Sequence, residues 1–304
     1  MEPEQPESLP LLVCALLVSH NCVDALRRSV AALEASQGRN QLEILVVDNG
    51  SRDGSRQLDS EFPEINMLRL PHFCGLTKAR NIGIRTAKAE HLLLLEPGVE
   101  VEPGTVQALV ERLASRTDAL AVCPAVVDGA GKVISKMYRL PSAAEVSGHW
   151  NDPTALPPVA SPDQAELHDG KAILLRKHTL KGMNYLDEKF GEHWGDVEVA
   201  FQIKRAAKRI ILAPDIPVRQ DLATAKLWQP TDSSDRAAFA ADALNGAAVY
   251  LSKHFGFGPS VGLRAKVIFG SLLRALTFQD AGYNFSLFTR ALSGYKIDGT
   301  SQRL

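Results

Sequence analysis

Short apolar runs that stop abruptly at polar loops constrain this chain more than any other feature. Leu11 to Ser19, Leu42 to Val47 and His91 to Leu95 are dominated by aliphatic and β-branched residues over too few positions for a helix buried on all sides. Each therefore reads as a fully buried strand. Each also ends in side chains able to bind something: Ser19, His20 and Asn21; Asp48, Asn49 and Ser51; Glu96 and Glu100. The intervening stretches carry helical periodicity. Asp24 to Glu34 sets Leu26, Val30 and Leu33 on one face with Arg27 and Arg28 outside. Thr77 to Ala89 sets Ala79, Ile82 and Ala87 inside, with Lys78, Arg80, Arg85 and Lys88 outside.

Strand alternating with helix predicts an α/β fold with a mainly parallel central sheet. Ligands of such sheets bind outside the carboxyl ends of the strands, where these polar loops fall. The loop after Val47 has a plainer reading as well, because Asn-Gly and Asp-Gly make turns for backbone reasons alone.

The alternation continues. An amphipathic helix starting near Asp53 and a strand over Met67 to Leu70 belong to the first half. A helix over Thr105 to Ser115 follows, then strands over Leu120 to Val127, Val133 to Met137 and Ala172 to Arg176. A helix over Asp196 to Lys208, capped by Asp196, leads into a strand over Ile210 to Ala213. Pro141 to Asp169, rich in Pro, Ala, Ser and Asp, reads as a long surface excursion. Beyond about residue 222 strands cease, and helices are expected over Asp235 to Phe255, Ser260 to Phe278 and Phe285 to Ser293. The expected organisation is a disordered leader over 1–9, an α/β domain over 10–222 and a helical extension over 223–304.

Composition removes several classes. In 304 residues, 34 basic and 35 acidic side chains leave a net charge of −1, so nucleic acid is not an expected partner. The charge is uneven: from Arg236 onward eight Lys and Arg face three Asp, which suits an acidic surface. Four cysteines without a CxxC pair argue against a disulfide framework or a zinc ribbon. The start of the chain is acidic and Pro-rich where a signal peptide is basic, and the apolar run after it is too short to span a bilayer. A cytoplasmic site of action is expected. Gly256, Gly258 and Gly262 imitate a dinucleotide fingerprint, but in the wrong spacing and after a helical pattern.

Five segments taken together carry more information than any of these. VSHN at 18–21, VVDNGSRDGS at 46–55, ARNIGIRTA at 79–87, LLLLEPGVEV at 92–101 and LDEKFGEHWGDVEVAFQIKRAAKRIILAP at 186–214 resemble, in order and spacing, the inverting glycosyltransferases of family 2. The likeness is greatest to their bacterial rhamnosyltransferase-like branch. It implies a GT-A fold and a hexosyltransferase activity in cell-surface polysaccharide biosynthesis. In that activity a sugar passes from a nucleoside diphosphate donor to a hydroxyl of a glycan or lipid-linked acceptor.

Residue by residue, the resemblance assigns Val18, His20, Asn21, Asp48, Asn49 and Ser51 to the nucleoside. It assigns Asn81, with Gly83, to closing the nucleotide pocket, and Lys78 or Arg80 to the diphosphate. Asp196 matches the catalytic base, the carboxylate that takes the acceptor proton as oxygen attacks the anomeric carbon. Three departures stand out. The family's metal motif reads Glu96-Pro97-Gly98 here, so Glu96 and Glu100 would have to hold a divalent Mg or Mn ion. Gly195 replaces the first acid of a Glu-Asp pair, and Arg219 or Gln220 stands where relatives carry His. Arg219 is the expected fixed cation in a metal's place. These changes keep open the alternative of a weakened relative that binds a nucleotide or glycan as a module. The helices after residue 235 carry apolar and basic residues together, which suits packing on the domain, a homodimer, or peripheral contact with the inner face of an anionic membrane.

Overall fold

The computed structural model describes residues 12–161, 165–221 and 229–299. The leader and the expected boundary at 222/223 fall outside them. The first half comprises β1 (Val13–Ser19), α1 (Val23–Glu34), β2 (Leu42–Asp48), β3 (Asn66–Arg69), α2 (Leu76–Thr86), β4 (His91–Leu95), β5 (Val99–Val101), α3 (Thr105–Ala114) and β6 (Ala119–Val127). Then come β7 (Met137–Tyr138), α4 (Ala143–Gly148), β8 (Leu167–His168), β9 (Ala172–Arg176), α5 (Lys177–Gly182), α6 (Gly195–Arg205) and β10 (Arg209–Gln220). The extension is α7 (Ser233–His254), α8 (Phe257–Leu276) and α9 (Ala281–Ser293).

Eight strands form one sheet in the order β3-β2-β1-β4-β9-β6-β10-β5, with β7 and β8 paired separately. The β3/β2, β2/β1, β1/β4 and β6/β10 pairs are parallel. β9 is antiparallel to both β4 and β6, and β5 to β10. The β1/β2 register sets Ser19 beside Asp48, so the two polar loops leave the sheet side by side.

Successive strand side chains point to opposite faces, and here both faces are covered. Ala15 and Leu17 of β1 join Ile44 and Val46 of β2 beneath Leu26, Val30 and Leu33 of α1. Cys14, Leu16, Leu45 and Val47 face the other way, against Ala79 and Ile84 of α2. Gly83 sets that second distance: a β-carbon there would fall 2.4 Å from Leu16 Cδ1. All four cysteines are buried and unpaired.

The extension packs on the sheet domain. Phe190, Trp194 and Val197 share one apolar cluster with Ala241, Leu244, Ala247, Tyr250 and Leu251 of α7. Local expectations were less accurate. The helix expected near Asp53 is a single 3-10 stretch over Gly54–Ser60. Only Met137 of the strand expected over Val133 to Met137 is strand, with Val133 making an isolated bridge. The excursion over 141–161 and 165–169 holds α4, another 3-10 turn and β8.

Candidate active site

At the carboxyl ends of β1 and β4 lies a cavity lined by Val18, His20, Cys22, Phe73, Leu76, Arg80, Glu96, Pro97, Asp169, Gly170, Glu192, Asp196 and Phe239, with Leu16 and Leu95 at its base. Of the sequence candidates, Val18, His20, Arg80, Glu96 and Asp196 line it.

The loops after β1 and β2 are locked together. His20 Nδ1 is 2.8 Å from the Asn49 carbonyl, and the Asn21 backbone N–H donates to Ser51 Oγ at 3.0 Å. Asn21 holds a left-handed backbone, with its Oδ1 accepting from the Arg52 N–H. Asp53 caps α1 from across the gap, accepting from the Val23 N–H. Asn49 Oδ1 accepts from the Cys74 N–H, which brings in the loop carrying Phe73. Burial pushes the His20 pKa down, against the pull of the Asn49 carbonyl and the charge of Asp48. Asp48 itself is fully buried: one oxygen accepts from the Ser51 N–H and the other, Oδ1, has no hydrogen-bond partner among the described residues.

Asp196 lies in the first turn of α6 and does not cap it. The helix begins one residue earlier, after Trp194 in a left-handed conformation with no side-chain cap. Asp196 Oδ1 accepts from Arg80 Nη1 at 2.6 Å. Its Oδ2 has no hydrogen bond among the described residues and faces Gly170, where a β-carbon would stand 3.0 Å away.

Three candidates from the sequence are engaged elsewhere. Lys78 Nζ donates to the Asp298 carbonyl, which fastens the end of the described chain to α2. Asn81 is fully buried and clamps the 186–188 segment, donating to the Leu186 carbonyl and Glu188 and accepting from the Leu186 N–H. Glu100 pairs with Arg28 of α1 at 3.2 Å.

The donor set does not fit a divalent cation. Gly98 offers no side chain, and its N–H is bound by the Ala25 carbonyl and Ser29 Oγ. Glu96 stands 3.8 Å from the Lys171 ammonium and accepts from Gln220 Nε2 at 3.2 Å. Among the described residues no three His, Cys, Asp or Glu side chains are gathered as a metal requires. Gln220, almost wholly buried, takes the site-facing position at the end of β10. Arg219 points away and pairs with Glu102, which corrects its expected role as the fixed cation.

Phe239 and Glu192 are among the lining residues that the sequence reading does not assign to the site. Phe239, from α7, stacks on Phe73 with centroids 5.7 Å apart, and Phe73 in turn lies 4.6 Å from the His20 ring. Glu192 accepts from the Leu76 N–H at 2.8 Å, and burial, reinforced by Asp242, raises its pKa. Glu192 lies only four residues before Asp196, so a search for acids near the expected base finds it. Nothing in the local pattern of α7 marks Phe239.

Residues 14–177, more than half of the chain, match the model of glycosyl transferase family 2. The chain is 27% identical over 168 residues to a putative polypeptide N-acetylgalactosaminyltransferase 9 of Drosophila melanogaster, which is 53% of this chain and 26% of that one. It is 26% identical over 114 residues to the succinoglycan biosynthesis protein ExoO of Rhizobium meliloti, 37% and 32% of the two chains. It thus spans about a third or less of the length of these curated relatives. Among solved structures, a mannosyltransferase from Pyrobaculum calidifontis in complex with GDP-Man and Mn2+ superimposes with a TM-score of 0.52 at 14% identity, over 94% of this chain and 87% of that one. TarS of S. aureus in complex with UDP-GlcNAc gives 0.50 at 14%, over 93% and 91%. The fold is that of the GT-A glycosyltransferases, and the chain belongs to glycosyl transferase family 2.

Proposed function

We propose that this chain transfers a sugar, with inversion, from a nucleoside diphosphate donor to a hydroxyl group of a glycan or lipid-linked acceptor, acting in the cytoplasm. The observation that carries this reading is the position of Asp196. Asp196, whose Oδ2 has no hydrogen bond among the described residues, lines the same cavity as the His20, Phe73 and Phe239 rings. A base on the aromatic wall directs its sugar phosphate along the cavity, and a carboxylate held by Arg80 takes the acceptor proton as the new bond forms. The solved neighbours with GDP-Man and UDP-GlcNAc support a donor of this class.

In this reading Asn21, Asn49 and Ser51 set the shape of the nucleoside loop, and Asp48 Oδ1, which has no partner among the described residues, is an acceptor for a base N–H. The test is release of nucleoside diphosphate from a panel of UDP-, GDP- and dTDP-sugars. Asp196→Asn is expected to lower turnover by about a hundredfold or more while leaving nucleotide binding intact. Binding without turnover in the wild type would instead favour the module.

The outer side of the extension supports a lipid-linked acceptor. Among the described residues no helix is long and apolar enough to cross a membrane. Yet Phe269, Leu273, Leu276 and Phe278 are exposed on α8 and just beyond it, and Phe285 and Leu292 on α9. Lys266 and Arg274 lie exposed beside them, and no acidic residue occurs between Phe257 and Gln279. Such a surface rests on an anionic membrane by apolar contact and charge together.

A further inference from the structure

Donor diphosphate carries charge that something must neutralise as it leaves, and in GT-A enzymes that use a metal this is the ion's task. Here the strand pairing puts a different cation at that point. β9 runs antiparallel to β4 with Ala172 opposite Leu95, so the next pair outward is Lys171 against Glu96, joined by the Glu96 N–H donating to the Lys171 carbonyl at 2.8 Å. The Lys171 ammonium donates to Gln220 Oε1 at 2.6 Å and stands 3.8 Å from Glu96 Oε2. Gln220 bridges the two, since its amide nitrogen donates to the same Glu96 oxygen. A dication on Glu96 would meet this ammonium at close range, and the like charges would oppose its binding.

We propose that Lys171, held by Glu96 and Gln220 at the edge of the cavity, is the permanent positive charge for the donor diphosphate, and that this chain binds its donor without a metal ion. The proposal rests on the donor reading above. Lys171 sits beside Gly170 and Asp169, which line the cavity, and its four-carbon stem lets the ammonium move from Gln220 to a phosphate oxygen. No bond is made or broken by Lys171. It offsets charge on the leaving diphosphate, while Arg80 supplies a second cation beside Asp196.

Calorimetric titration in EDTA, with UDP, GDP and dTDP and with the matching nucleosides, tests this without requiring turnover. The wild type is expected to bind one diphosphate in EDTA with an affinity that Mn2+ leaves unchanged. Lys171→Met keeps the stem and removes the charge, and should weaken the diphosphate by about tenfold or more while sparing the nucleoside. Lys171→Arg should retain most of the affinity, and melting curves of both variants should match the wild type. Diphosphate binding that requires Mn2+, or a Lys171→Met variant that weakens neither ligand or both equally, overturns the proposal. If no nucleoside or diphosphate binds the wild type, the donor reading itself fails and this proposal with it.

Discussion

Arg80 Nη1 and Asp196 Oδ1 stand 2.6 Å apart although 116 positions separate them in sequence. The pair ties the helix after the nucleotide loops to the first turn of the helix that carries the proposed base. Arg80 is largely covered, with 13% of its side chain exposed, against 39% for Asp196. A guanidinium fixed in this way orients one carboxylate oxygen and leaves the other to the cavity.

Replacing Arg80 should therefore act on turnover more than on folding. Arg80→Met is expected to cut kcat by about tenfold or more, with Arg80→Lys recovering part of the loss, because Lys keeps the charge but not the planar fork. Lys78→Met is the contrasting variant. Lys78 is held by the Asp298 carbonyl, so its loss should lower Tm and leave donor KM within about twofold. Steady-state kinetics and melting curves on the same preparations separate the two. Equal kinetic loss in both variants would remove the distinction drawn between them.

The aromatic wall gives a second prediction. Phe73 lies within ring-contact distance of both His20 and Phe239, and Phe239 comes from the helical extension. Stacking a base on an aromatic ring contributes about 1–3 kcal/mol. Phe239→Ala should therefore raise the Kd of the bound nucleoside by about tenfold, and Phe239→Tyr should not. Nucleoside titration reads this directly, and an unchanged Kd in Phe239→Ala would place the base elsewhere in the cavity.

What could be read from the sequence follows the range of the interactions. Periodicity alone places Leu26, Val30 and Leu33 on the covered face of α1, and all three are fully buried. The strand ends at His20, Asp48 and Glu96 were likewise visible, because an apolar run breaking into polar residues is a local signal. Lys171 was not visible as a site residue. It meets Glu96 only through the antiparallel pairing of β9 with β4, and no local pattern announces which strands will pair. Asn81 illustrates the reverse case. Its match to a nucleotide-pocket element was clear, while its hydrogen bonds to the Leu186–Glu188 segment needed coordinates.

Stability should depend on pH through His193 and Asp242. The Asp242 carboxylate accepts from the backbone N–H groups of Glu192, His193 and Ile297 and lies 3.1 Å from His193 Nδ1. Burial disfavours the charged imidazole, but the hydrogen bond and charge of Asp242, with Glu192 and Asp152, outweigh it and raise the His193 pKa above its ordinary 6.5. A histidine raised on folding adds stability that is fully present below its unfolded value and is lost as pH rises through the folded value. Tm is therefore expected to decline as pH rises above 6.5. His193→Gln should start lower and lose that decline. Glu192, also raised, acts with the same sign, beginning from its lower ordinary value of 4.5. A His193→Gln variant with the full alkaline decline would assign it to another group.

The extension offers the last prediction, and it depends on the separation between its two faces. Leu263, Val267 and Ser271 of α8 are buried, whereas Phe269, Leu273 and Leu276 on the same helix are exposed, and Phe278 after it is 88% exposed. Lys266 and Arg274 border that outer face, so attachment to a membrane should draw on its apolar part and be strengthened by its charged part. Co-sedimentation with vesicles containing anionic lipid should be strong at low salt and weaken as salt rises, because charge at the surface is screened within about a Debye length. Phe269→Ser combined with Leu273→Ser should abolish sedimentation while leaving turnover of a soluble acceptor unchanged, since these side chains lie outside the cavity. Lys266→Gln with Arg274→Gln should lose only the salt-sensitive part. Equal sedimentation with uncharged vesicles would remove the electrostatic half of this account, and a wild type that stays in the supernatant at low salt would remove the membrane contact altogether.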